Sequence, residues 1–197
     1  MKVKEELKPL SVKIQNVVSS AIFKQPFDLK FISDTFPSDT EAKGRFPGLV
    51  YRLKKPKAVM LIFNTGKIVC AGAKSEEESR FAIRTFVKNM EKKGIKIAEE
   101  PDIQITNIVA SATLSGFIDL EKLYMSEIGK MRGKIIFEPD QFPALIYRLE
   151  NPYATFLIFS TGKIVCAGAK GEKDSYKAIE TLMARLHEGG FMVNQEN

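Results

Sequence analysis

The twelve residues FNTGKIVCAGAK, Phe63 to Lys74, return as FSTGKIVCAGAK at Phe159 to Lys170, 96 positions later. The likeness reaches further. FPGLVYRLKKPKAVMLIFNTGKIVCAGAK (46 to 74) and FPALIYRLENPYATFLIFSTGKIVCAGAK (142 to 170) share 21 of 29 residues without a gap. Upstream, IQNVVSSA (14 to 21) matches ITNIVASA (105 to 112) at an offset of 91, so the second copy has gained five residues between the two blocks. A solenoid repeats every 20 to 50 residues or so. A period near twice that makes each copy a small domain with its own core. We place the boundary between Ile97 and Ala98, giving repeats 1–97 and 98–197.

Each copy reads as the same series of elements. It opens on an alternating strand, KIQNVVSSAIF or QITNIVASATL. A short helix is predicted after Asp28 and after Asp119, where the carboxylate would accept orphan amide hydrogens. Three strands follow closely, GLVYRL, AVMLIF and KIVCAGAK in the first copy, with turn residues at KKP or ENP and at NTG or STG. A longer helix closes each copy. The first has Ser75 and Glu78 at capping-box spacing, a stripe of Ala82, Ile83, Phe86, Val87 and Met90, and Gly94 at its end. The second carries Ala178, Ile179, Leu182, Met183 and Leu186 at the same intervals. GIKIAEEPD links the copies. The fold class is therefore α+β: two pseudo-symmetric repeats forming one curved antiparallel sheet, with helices on its convex face.

The pattern inside the strands is the informative part. Side chains alternate across a sheet, so Met60 and Ile62 share one face, and Val59, Leu61 and Phe63 the other. In KIVCAGAK, Ile68 and Cys70 oppose Val69 and Ala71. Both faces are apolar, yet the helices can cover only one. The open face needs a second sheet, a second copy of the chain, or a broad ligand.

Charge narrows the choice. The chain carries 30 Lys+Arg and 24 Asp+Glu, a net charge of +6. Residues 1 to 98 hold 20 basic and 10 acidic groups, and 99 to 197 hold 10 and 14, a split of +10 and −4. A basic chain with an uncovered apolar face suggests a polyanion, with nucleic acid foremost. No apolar run approaches the roughly 20 residues that span a bilayer, and no signal peptide opens the sequence, so the expectation is an intracellular protein with no membrane partner. Cys70 and Cys166 occupy one repeated position and read as two buried free thiols. With His187 the single histidine, ligands for zinc are too few and no acid–base site is recognisable, so neither a metal, a cofactor nor an enzyme is expected.

QNVV and TNIV, FPGLVYRL and FPALIYRL, LIFNTGK and LIFSTGK, and the twofold GAK together resemble the TATA-binding protein family, from about Ile14 to His187. That resemblance implies a transcription initiation factor that binds the minor groove of double-stranded TATA-box DNA and kinks it, recruiting transcription factor B and, indirectly, RNA polymerase; minor-groove wedging is the behaviour for which this family is known. It places intercalating side chains at Phe46, Phe63, Phe142 and Phe159. Minor-groove contacts fall on Asn16, Val18, Leu61, Val69, Ala71, Asn107, Val109, Leu157, Val165 and Ala167. Phosphate contacts fall on Arg52, Lys67, Lys74, Arg148, Lys163 and Lys170. The acidic loop FEPDQFP, through Glu138 and Asp140, matches the docking loop for transcription factor B.

The chain departs from the family at Ala71 and Ala167, where threonine is usual, and carries a proline after the first wedge of both repeats, Pro47 and Pro143. Its short ends resemble archaeal members, which would work at the nucleoid; a eukaryotic member would be nuclear. The alternatives are a sheet platform for single-stranded nucleic acid, a paralogue serving a subset of promoters, or a homodimer closed over the open face when DNA is absent.

Overall fold

A computed structural model describes residues 11–127 and 135–193. Its elements follow the repeat. The first series is β1 (Ser11–Ile22), α1 (Leu29–Thr35), β2 (Thr40–Ala42), β3 (Leu49–Leu53), β4 (Ala58–Ile62), β5 (Lys67–Ala73) and α2 (Glu76–Lys92). The second is β6 (Asp102–Thr113), β7 (Phe117–Ile118), α3 (Leu120–Glu127), β8 (Ile135–Ile136), β9 (Ala144–Glu150), β10 (Tyr153–Phe159), β11 (Lys163–Ala169) and α4 (Glu172–Glu188), with a short β12 (Met192–Val193) paired to β7. Strands β2, β7, β8 and β12 were not anticipated from the sequence. They are two or three residues long, too short for alternation to show.

Backbone contacts divide the chain into two compact units. Asn16–Asn107 is one, here the early unit; residues 108 onward, with β1 as far as Gln15, make the late unit. The early unit orders its strands β2-β3-β4-β5-β1 and the late unit β8-β9-β10-β11-β6, antiparallel throughout. The α+β class and its antiparallel sheet strands are as expected.

Helix boundaries have local causes. Asp28 Oδ1 accepts from the Phe31 amide at 2.9 Å and Asp119 Oδ1 from the Lys122 amide at 2.9 Å, satisfying N-terminal donors of α1 and α3. Ser75 Oγ accepts from the Glu78 amide at 3.0 Å, while the Glu78 carboxylate reaches back to the Lys74 amide. The second long helix lacks this device. Gly171 stands at its N-cap and offers no side chain.

In the early unit Ala82, Ile83, Phe86 and Met90 of α2 are fully buried against Met60, Ile62, Ile68 and Cys70, with Val87 partly exposed at the margin. In the late unit Ala178, Ile179, Leu182 and Leu186 of α4 pack on Phe156, Ile158, Ile164 and Cys166, with Met183 close behind. Each such aliphatic or aromatic side chain contributes roughly 1.5–3 kcal/mol when fully buried. The two cysteines are free, each inside its own unit's core. Among the described residues no helix is long and apolar enough to cross a membrane.

Candidate nucleic-acid interface

Burial alternates along the central strands, and the alternation separates two faces. In β4, Ala58, Met60 and Ile62 are buried, whereas Val59 and Leu61 are half-exposed, as is Phe63 just beyond. In β5, Ile68 and Cys70 are buried while Val69 and Ala71 are not. β10 and β11 repeat the pattern, leaving Leu157, Phe159, Val165 and Ala167 half-exposed. Packing by α2 and α4 accounts for the buried face. The opposite face of each unit remains apolar and accessible among the described residues.

Register brings the expected floor residues together. Val59 lies opposite Ala71, and Ala71 opposite Val18; Leu61 lies opposite Val69. In the late unit Leu157 lies opposite Val165 and Ala167 opposite Val109. Val18 and Val109 are half-buried, each flanked along its strand by fully or nearly fully buried neighbours.

The phenylalanines form one pair per unit. Phe46 and Phe63 meet edge-to-face with centroids 5.7 Å apart, and Phe142 and Phe159 at 6.3 Å. A local cause for the tighter first pair is Gly48, where an added Cβ would lie 2.8 Å from a Phe46 ring carbon. Its counterpart is Ala144, and Phe142 is 42% exposed. Both pairs stand on hairpin turns. Phe63 N donates to Lys67 O at 2.9 Å, and the Gly66 and Gly162 amides donate to Phe63 O and Phe159 O at 3.1 Å.

Asn16 is held by a bond that the sequence alone does not reveal. Register in the β1–β5 ladder steps between Val17 and Val18, skipping Gly72, whose φ of +105° favours glycine. The unpaired Gly72 amide donates to Asn16 Oδ1 at 2.8 Å. A backbone N–H can only donate, so the Asn16 oxygen is assigned and its NH2 is the group left to meet a ligand acceptor. The glycine of GAK was the available signal, as a strand glycine often marks a bulge. Asn107 is half-buried on β6, in step with Val109.

The expected phosphate contacts Arg52, Lys67, Lys74, Arg148, Lys163 and Lys170 are all exposed. Arg52 also meets Glu41 at 3.3 Å, an exposed pair of little energetic weight. Glu138 and Asp140 are exposed on a turn whose Gln141 and Phe142 amides both donate to Glu138 O at 2.9 Å, so the acidic loop leads directly into a wedge residue. Burial pushes the Cys70 and Cys166 thiols up to about 11, with nearby serine hydroxyls opposing. Neither thiol is poised for chemistry. No cluster of metal-ligating side chains occurs among the described residues.

A family model described as transcription factor TFIID, or TATA-binding protein, matches residues 11–93 and 102–188. A TATA-box-binding protein of Pyrobaculum calidifontis is 41% identical over 186 residues, covering 94% of this chain and 91% of the relative. One from Archaeoglobus fulgidus is 41% identical over 181 residues, covering 92% and 97%. Among solved structures, the Methanococcus jannaschii TBP superposes with a TM-score of 0.77 at 38% identity, covering 90% of this chain and 99% of that one.

Proposed function

The chain belongs to the TATA-binding protein family, and on that premise we propose that it is a promoter-binding transcription initiation factor that bends A/T-rich DNA through its minor groove. The observation that carries this reading is the half-exposed apolar sheet face of each unit, flanked by an aromatic pair and exposed cations. Phe46, Phe63, Phe142 and Phe159 act as wedges between base steps. Asn16 and Asn107 donate to adenine N3 or thymine O2, and the valine, leucine and alanine side chains fit a floor without guanine's amino group. Arg52, Lys67, Lys74, Arg148, Lys163 and Lys170 hold phosphates.

The energies are commensurate. Smooth bending costs roughly 1–6 kcal/mol, up to about 10 in stiff sequences, and unstacking adds a few kcal/mol per step. Burying four rings returns roughly 6–12 kcal/mol at about 1.5–3 each. Six phosphate contacts give a log–log salt slope of about −5.

Glu138 and Asp140 present the acidic loop on which transcription factor B docks, and polymerase follows indirectly. A factor of this kind works on chromosomal DNA inside the cell. The deciding experiment measures affinity and bend angle on a TATA duplex, a GC-substituted duplex and the matching single strand. Strong, bent binding of the TATA duplex alone supports the proposal; preference for the single strand replaces it with a base-stacking platform.

A further inference from the structure

The early unit has a cleft on its helix-covered side, away from the open face. It runs between α2 and the stretch 97–103 that leads into β6, and its volume is about 550 Å³. That stretch is tied down at several points. The Gln25 side chain donates to Lys96 O at 2.8 Å and accepts from the Ala98 amide at 2.7 Å. Lys24 meets Glu99 at 2.6 Å, and the Arg80 guanidinium donates to Ile103 O at 3.2 Å. The cleft is thus a preformed space, within the range of about 300–1,000 Å³ usual for small-molecule sites.

Its lining is of three kinds. Ile83, Val87, Ile97 and Ile103 supply the apolar part, Ile83 fully buried and the others half-exposed. Arg84 and Lys88, one turn apart on α2, are exposed, as is Glu100 on the facing stretch. Among the described residues these three side chains make no ion pair or hydrogen bond. Opposite charges therefore line one cleft without closing on each other.

The cations are not there for the helix. Arg80, Arg84 and Lys88 follow one another at four-residue spacing, where like charges destabilise a helix. Their counterparts on α4 are Tyr176, Glu180 and Ala184, so packing a helix on this fold needs no such row.

Two unpaired cations about 6 Å apart along a helix axis suit one phosphate, arginine offering a fork of donors and lysine a point charge. The apolar lining suits a flat ring, and the Glu100 carboxylate accepts from hydroxyl or amino groups. Glu99 and Glu100 together repel an extended polyanion, which excludes duplex DNA and polyphosphate. A single phosphate on a neutral, partly apolar body meets every part of the lining.

We propose that this cleft binds a nucleoside monophosphate, with its phosphate on Arg84 and Lys88, its base against Val87 and Ile97, and its ribose hydroxyls toward Glu100. The proposal goes beyond the promoter reading and is independent of what the open face binds. A ligand here joins α2 to the stretch ahead of β6, so it stabilises the folded chain while the open face stays free.

The test is calorimetric titration of the full chain without DNA, at about 0.15 M salt to screen long-range charge effects. The titrants are AMP, GMP, CMP, UMP, adenosine and inorganic phosphate. At least one monophosphate should bind at one site per chain, about tenfold or more tighter than adenosine or phosphate. Arg84→Gln with Lys88→Gln should weaken it about tenfold. Lys92→Glu makes the same change in net charge on α2 outside the cleft and should stay within about twofold of the parent. Both variants should keep the parent's Tm without ligand and its TATA affinity within about threefold, which separates loss of the site from loss of the fold. No binding of any monophosphate, phosphate binding as tightly as the nucleotide, nucleotide binding unchanged in the double variant, or displacement of the nucleotide by a TATA duplex would each overturn the inference. None of these outcomes bears on the promoter reading, which stands or falls on the TATA duplex alone.

Discussion

Phe156 and Phe159 stand three residues apart on β10 and should fail in opposite ways when shortened to alanine. Phe156 is fully buried in the late unit's core, and Phe159 is half-exposed beside Phe142. Removing Phe156 opens a core cavity at roughly 3–5 kcal/mol, or about 6–20 °C in Tm at some 2–4 °C per kcal/mol for a domain of this size. Removing Phe159 gives up an edge-to-face contact worth about 0.5–1.5 kcal/mol, so Tm falls by only a few degrees. Its ring also forfeits roughly 1.5–3 kcal/mol of burial against DNA. At 1.4 kcal/mol per decade this is about a 10- to 150-fold loss of affinity. Calorimetry and a fluorescence bend assay on one TATA duplex read both effects. If Phe159→Ala binds and bends like the parent, the wedge assignment is wrong; if Phe156→Ala melts like the parent, the division into covered and open faces is wrong.

Reversing both acidic charges, Glu138→Arg with Asp140→Arg, should abolish the complex with transcription factor B in a gel shift while DNA binding alone survives. Tyr153, exposed where the first repeat has Lys57, should become a phosphate contact as Tyr153→Lys, steepening the log–log salt slope by about 0.9 in a titration. Ser19 and Ser79 share a buried hydrogen bond of 2.7 Å, so Ser79→Ala should cost about 1 kcal/mol in urea unfolding by leaving Ser19 only the weak Cys70 thiol as a side-chain partner. The matching Ser175 hydroxyl has only the weak Cys166 thiol beside it, with Ala110 in place of Ser19, so Ser175→Ala should be neutral or stabilising. The two thiols, at about 11 when folded against 9.0 as the ordinary value, hold their protons longer in the native state. Unfolded chains bind fewer protons between those limits, so stability should fall from pH 9 to 11, and less so in Cys70→Ala with Cys166→Ala; identical pH profiles would contradict this.

Much of this protein can be read from residue order alone. A duplication is visible as identity, and a helix cap such as Asp28 or Ser75 acts within three residues of itself, so neither needs a tertiary context. Alternation in AVMLIF and KIVCAGAK likewise announced two apolar faces, because the pleat has a period of two whatever surrounds it. Order along the chain could not decide which of those faces the helices take. That depends on where α2 and α4 pack, and packing sends Met60 and Phe156 inward and leaves Leu61 and Phe159 at the surface. Nor could it join Asn16 to Gly72, 56 residues apart, or set Ala167 opposite Val109. Those relations come from strand register and its bulge at Gly72, which are fixed by contacts between distant segments.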